Sequence, residues 1–344
     1  MKAILYKGPK HLEFVTNIVK PVPSYHQVLV ETKAVGVCGS DLGIFEGEFP
    51  KINPPLIIGH EGAGIVRAVG DKVSTLKIRD HVAVSPIIHC GRCEACKQGK
   101  YNLCSSSKTI GMIDYSGEYA DFFVAPEENC YLLPKKMPWP IAALVDTLAG
   151  PVHGMMEVID IPIGSSVAVF GPGPAGLFFC QLAKLRGASS VYLIGTREER
   201  LRLGSHYGAD VAINIYNDNA SETIMKHTNG KGVDVVIDAA GSSKSLTDGF
   251  NVLGRGGIFL AYGVYPIKPI LVDMQKVVLE EYFIYGYASN NNGYPGAIDL
   301  LYNEKIDAAP LITHTFNLEE LIHAFSSGLI KNRHEGYIKG VVVF

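Results

Sequence analysis

No stretch of this 344-residue chain approaches the ~20 consecutive apolar residues of a membrane span, and the opening Met1–Lys7 is too short an apolar stretch to read as a secretory signal. A cytoplasmic protein is the expectation. A charge of one sign is missing as well: 31 basic residues stand against 34 acidic ones, so there is no net field to recruit nucleic acid or an anionic membrane. Partners are therefore expected among small molecules. Internal repeats and low-complexity segments are also absent, and at this length about two domains are expected.

Cysteine, by contrast, is plentiful: seven in all, four of them in the run Cys90-Gly-Arg-Cys93-Glu-Ala-Cys96-Lys-Gln-Gly-Lys-Tyr-Asn-Leu-Cys104. Two-residue gaps let three sulfurs converge on one ion, and the longer gap lets the chain turn back with the fourth, which is a complete ligand set for tetrahedral zinc. A closed four-sulfur shell leaves no position for substrate, so this zinc is expected to hold a loop rather than to do chemistry. Disulfides or a redox Cys-x-x-Cys are the competing readings, and neither the secretory segment nor the βαβ pattern they call for is expected here. Cys130 and Cys180 sit among apolar or aromatic neighbours and read as buried thiols.

Cys38 stands apart. It lies in the glycine-flanked turn Val37-Cys38-Gly39-Ser40-Asp41 after an apolar strand, and 22 residues later comes Gly59-His60-Glu61. Taken singly, a buried thiol and a core-lining imidazole are the plainer readings. With a glutamate beside the histidine, a thiolate and an imidazole on neighbouring strand ends could instead share a second zinc. His81, His89 and His153 have no comparable set of partners in the sequence and read as structural or surface residues.

The middle of the chain carries a nucleotide signature. Ser165–Phe170 reads as a buried strand, Gly171-Pro-Gly173-Pro174-Ala175-Gly176 as a phosphate-binding turn, and Leu177–Arg186 as a helix. Gly171 permits the tight turn, Gly173 lets the backbone approach a pyrophosphate, and Gly176 lets helix and strand pack closely, with the helix N-terminus facing the phosphates. Five further strand runs follow, giving the six of a doubly wound dinucleotide domain. At the end of the second, an NAD-selective site places an acid for the ribose 2′-OH. Here Gly195 stands in that position, followed by Thr196 and Arg197, with Arg200 one turn on. Either these bases donate to a 2′-phosphate, which favours NADP over NAD, or Arg197 and Arg200 form surface pairs with Glu198 and Glu199. Asn290–Gly293 reads as a turn, and Asn317 with Glu320 as a capped helix start.

Gly59-His60-Glu61-x-x-Gly64-x5-Gly70-x2-Val73 resembles the signature of the zinc-containing medium-chain alcohol and polyol dehydrogenases, and the four-cysteine loop is similar to their structural zinc lobe. The likeness continues through the Cys38 turn, the glycine-rich turn and the segment from Ile306 to Glu320, and so covers essentially the whole chain. What it implies is an α/β fold in which a doubly wound Rossmann domain, residues 151–288, is inserted into a β-rich, chaperonin-10-like catalytic domain formed by residues 1–150 and 289–344. It further implies two zincs per chain. The catalytic one would be held by Cys38, His60 and a ligand seven residues before a histidine, a position that Asp146 occupies relative to His153. Glu61 is either a fourth ligand or a partner that trades places with water and substrate. Three ligands and an open position lower the pKa of a bound water or alcohol, and Ser40 matches the family hydroxyl that hydrogen-bonds that alcohol.

The implied activity is hydride transfer between an alcohol, polyol or sugar and NADP. An NAD-linked polyol or sugar dehydrogenase, or a non-catalytic zinc-binding structural or regulatory protein, are the alternatives. A homodimer or homotetramer, joined through the last Rossmann strand near Tyr282–Tyr285, follows from the resemblance alone. Two positions depart from it: Gly43 stands where many relatives place a relay histidine, and Ser289-Asn290 where polyol-handling relatives place Arg-Tyr.

Overall fold

The computed structural model describes every residue except Pro50, Asn291 and residues 333–335. Of the turn expected at Asn290–Gly293, Asn291 therefore lies outside the described residues. Contacts divide the chain into two compact units, Met1–Ala149 with Tyr294–Phe344, and Gly150–Gly293. No helix among the described residues is long and apolar enough to cross a membrane.

The first unit is the β-rich, chaperonin-10-like one. Its main sheet runs in the order Cys130–Leu132, His81–Val84, Glu61–Val69, Gln27–Val37, Lys339–Val343 and Ile312–Phe316, with Phe122–Pro126 also pairing to Gln27–Val37. The central strand is apolar because it is covered on both faces: Val28, Val30, Val66, Val82, Val84 and Phe123 form one core, and Val35, Val37, Ile44, Phe45, Tyr119, Phe316 and Phe325 another. Register places Gly36 opposite Glu61 and Val37 opposite Gly340, so three strands bring their ends to one place. Gly36 is required there, since a Cβ on it would overlap the Glu61 carboxylate. Near the end of this unit, Asn317 Oδ1 accepts from Glu320 N at 2.9 Å while the Glu320 carboxylate accepts from Asn317 N at 2.8 Å, so the expected reciprocal cap starts the Leu318–Ser326 helix.

The second unit is a doubly wound Rossmann domain. Six parallel strands lie in the order Val211–Asn214, Ser190–Gly195, Ser166–Phe170, Val233–Asp238, Leu253–Ala261 and Phe283–Gly286. Numbered along the chain this is 3-2-1-4-5-6, which places a switch in strand order beside the glycine-rich turn after the Ser166–Phe170 strand. The inner strands are runs of Val, Ile, Leu and Ala with almost no exposed residue, as helices on both faces demand. The fifth strand begins at Leu253, four residues before the apolar run at Gly257 that marks it in the sequence, and its pairing with the fourth shifts register near Val233.

Candidate active site

Cys38 follows the Gln27–Val37 strand and caps the Gly39–Glu46 helix, while His60 and Glu61 open the antiparallel neighbour Glu61–Val69. Sheet register alone therefore brings these residues together. One ligand atom from each of Cys38, His60 and Glu61 lies within 4.8 Å of the others. His60 and Glu61 are buried, at 5% and 3% exposure.

The surroundings of His60 fix its orientation. Its Nδ1 faces Asp41 Oδ1 at 3.2 Å, within ion-pair reach though not aligned as a hydrogen bond, and its Nε2 faces the Ser40 hydroxyl at 3.2 Å. Asp41 is fully buried and is itself held by the Cys38 amide at 2.9 Å and the Tyr119 hydroxyl at 2.8 Å. Burial disfavours a charged imidazole, but the Asp41 carboxylate beside it more than offsets this and holds His60 well above its ordinary pKa.

Glu61 has a partner that nothing in the sequence announced. The Lys339 ammonium, 3% exposed, pairs with its carboxylate from the start of the Lys339–Val343 strand. Burial works against the lysine's charge, and the Glu61 carboxylate outweighs it, leaving the lysine raised above its usual range. The one available signal was a lone cation inside the apolar run Tyr337-Ile-Lys339-Gly-Val-Val-Val343. Glu118 was missed too: it is fully buried against Gly62, and burial pushes its carboxyl well above the usual range.

Asp146, in the first turn of the Val145–His153 helix, is not part of the three-residue group. Its Oδ1 instead accepts from the Tyr294 hydroxyl at 2.6 Å. Burial, with the Glu61 charge adding to it, pushes Asp146 up to about 6. At Gly43 a Cβ would overlap the Phe49 ring, which is 38% exposed, so a relay histidine there would have to displace that ring. The other histidines have structural company: His81 packs on Trp139, His89 on Tyr101, and His153 Nδ1 lies 2.8 Å from Glu157.

The second donor set is Cys90, Cys93, Cys96 and Cys104, whose sulfurs also lie within 4.8 Å of one another. All seven cysteines are free, so no disulfide competes. Backbone amides of Cys96 and Ser105 aimed at Cys93 bring its thiol down to about 6, and those of Arg92 and Cys93 lower Cys90. Burial, then the neighbouring thiols, pushes Cys96 up to about 12, so the amides favour thiolates at Cys90 and Cys93 in particular. Four thiolates suit a closed zinc site, and one sulfur, one imidazole and a carboxylate suit an open one.

In the second unit, Gly171 has φ of 98°, a conformation that favours glycine. A Cβ on Gly176 would overlap the Gly171 carbonyl, whereas a Cβ on Gly173 would meet nothing within 4 Å. The turn is therefore tight at both ends and open in the middle, at the N-cap of the Pro174–Leu185 helix. Such a cradle fits a pyrophosphate. Gly195 ends the second strand, Thr196 and Arg197 are half-buried, and Arg200 is buried at 5% exposure. Glu198 accepts a hydrogen bond from Asn214 at 3.2 Å.

Comparison with known proteins agrees with this geometry. The family model for the alcohol dehydrogenase GroES-like domain matches residues 24–135, and that for zinc-binding dehydrogenase matches residues 174–303. D-xylulose reductase A from Aspergillus oryzae is 34% identical over 332 residues, covering 94% of this chain and 92% of that protein. Among solved structures, a candidate zinc-binding dehydrogenase from Sinorhizobium meliloti bound to NADP is 28% identical with a TM-score of 0.94, over 100% of this chain and 99% of that one. A short chain alcohol dehydrogenase from Escherichia coli complexed with NADH is 30% identical with a TM-score of 0.91, over 100% and 99%.

Proposed function

Because this chain belongs to the zinc-containing medium-chain dehydrogenase/reductase family, and is an oxidoreductase, we propose that it transfers hydride between a polyol or sugar alcohol and NADP at the Cys38, His60 and Glu61 cluster. The observation that carries the proposal is that cluster: three different donor types, two of them buried, with a hydroxyl 3.2 Å from the imidazole. A non-catalytic zinc protein gains nothing from such a set. Asp146 stands next to it as a further carboxylate, and the four cysteines hold a second, structural ion.

Zinc held there by Cys38, His60 and Glu61 would supply Lewis-acid chemistry, lowering the pKa of a bound alcohol. The rest falls to the protein. The Asp41 carboxylate, 3.2 Å from Nδ1, favours the His60 proton on that nitrogen, which would leave the Nε2 lone pair for the ion. Ser40 reaches the same nitrogen's surroundings and is the hydroxyl placed to accept the substrate's proton. Lys339 balances Glu61, so that its carboxylate can stay in a dry site. With Gly43 backed by Phe49 there is no histidine at that position beyond Ser40, so the Ser40 hydroxyl would take the substrate's proton and hand its own to water. For the cofactor, Gly171 to Gly176 form the phosphate cradle, and Thr196 and Arg197 supply donors for a 2′-phosphate, with Arg200 behind them.

The polyol or sugar class rests on the xylulose reductase relative. The NADP preference rests on the missing acid at 195 and on the NADP-bound neighbour; the NADH-bound neighbour favours an NAD-linked enzyme as the second reading. The protein is proposed to work in the cytoplasm as a homodimer or homotetramer. The edge strand Phe283–Gly286 offers unpaired backbone with Phe283 and Ile284 exposed at 53% and 47%, a surface that a second copy would pair and cover. Assay of alcohols, polyols, sugars and sugar phosphates with both cofactors, alongside metal analysis, tests the proposal. Two zincs per chain and turnover with NADP support it; one zinc, or no turnover of any hydroxylated substrate, refutes it.

A further inference from the structure

The missing acid at position 195 has a steric cause inside the phosphate turn. Gly195 does not need to be glycine for its backbone, since its φ lies outside the left-handed region. Its surroundings nevertheless exclude a side chain. A Cβ placed there would fall inside the van der Waals envelope of Pro172 Cγ and Cδ, while Leu201 Cδ2, at 3.6 Å, would be in ordinary contact with it. The proline ring is the wall, and it cannot retreat easily. Pro172 Cδ is bonded to the backbone nitrogen, so ring pucker moves Cγ by a few tenths of an ångström but leaves Cδ where the main chain puts it.

Position 195 is pinned in turn. Its carbonyl accepts from Ile215 N at 3.0 Å, it pairs in register with Asn214, and the preceding Ile194 carbonyl accepts from Gly171 N at 2.8 Å. Pro172 sits between Gly171, with φ of 98°, and Gly173, the open floor of the cradle. Moving the ring aside therefore means moving the phosphate turn itself.

We propose that Pro172 is a specificity-determining residue: its ring keeps position 195 empty, and so bars the carboxylate that would select a ribose diol while leaving Thr196 and Arg197 as the nearby donors. This rests on the NADP preference proposed above. In this chain an acid at 195 and an undistorted phosphate turn exclude one another, and conversion to NAD requires two changes rather than one.

The test is equilibrium binding of NADPH and NADH, read from nicotinamide fluorescence, for the parent and for G195A, G195D, P172A, P172A/G195A and P172A/G195D. G195A adds one methyl and no charge, and is expected to weaken both dinucleotides by roughly ten- to hundredfold, as overpacking a filled position does. P172A/G195A is expected to return to within about threefold of P172A for both, a residual that additivity of neighbouring changes allows. G195D should bind neither cofactor well, whereas P172A/G195D should bind NADH more tightly than NADPH. The proposal is overturned if G195A binds as the parent does, if G195D alone gains NADH affinity, or if P172A/G195A is no better folded or bound than G195A. A parent that prefers NADH refutes the cofactor assignment instead, and the G195A comparison still decides the steric claim.

Discussion

The two donor clusters of the first unit solve the same problem in opposite ways. The four cysteines lie within fifteen residues of one another on a loop whose sulfurs are held by nearby amides, so the site is built by local chain geometry. Cys38, His60 and Glu61 come from two strands, are oriented by Asp41 and balanced by Lys339, and exist only once the sheet has formed. The difference teaches where each is fragile. A local site fails when a ligand is lost, and a sheet-built site fails when any of several supports is.

The sharpest way to set them apart is to remove a ligand from each. Cys38→Ser or His60→Ala should take turnover below detection and leave one zinc per chain, with the fold and the cysteine-loop zinc intact by metal analysis and circular dichroism. Loss of both ions would show that the clusters are not independent. Cys93→Ser should act mainly on stability, lowering Tm by about 10 °C, as the loss of a few kcal/mol does in a chain of this size. A variant as stable as the parent would mean that the cysteine loop holds no ion.

The supports give smaller effects. Lys339→Met strands a buried Glu61 carboxylate and should cost ~3–5 kcal/mol in denaturant unfolding, because the unpaired charge has no water to turn to. Adding Glu61→Gln should recover much of that loss; no recovery would show that Lys339 matters for packing alone. Asp41→Asn keeps the shape but weakens the hold on His60, and roughly 10–100-fold in zinc affinity is the expected loss, read by competition with a chelator. If zinc affinity stayed unchanged, Asp41 would be merely a helix-capping residue.

The same contrast explains what could be read in advance. The cysteine loop, the six strands and the glycines of the turn are written locally, in spacing and apolar runs. Cys38, His60 and Glu61 stood out only as a set. Asp41 sits three residues from Cys38 and looks like an ordinary helix-start acid, and its contact with His60 depends on how two strand ends meet. Lys339 depends on a pairing across nearly the whole chain. Asp146 fits the spacing of the resembled family, but that spacing carries no information about Tyr294, which holds its Oδ1. Pro172 and Gly195 belong to different strand ends, and only parallel register puts one against the other.

Glu61 and Lys339 are 278 residues apart, and a ribosome makes the first long before the second. At ~5–20 residues per second, the interval is on the order of tens of seconds, during which the whole of Gly150–Gly293 emerges. The Rossmann unit is thus free to fold while the other unit still lacks two strands of its main sheet. Through that wait Glu61 has no counter-charge and little reason to leave water. The Glu61–Lys339 pair therefore ties an early strand of the first unit to its last one: the buried carboxylate gains its counter-charge only when the Lys339–Val343 strand joins the sheet.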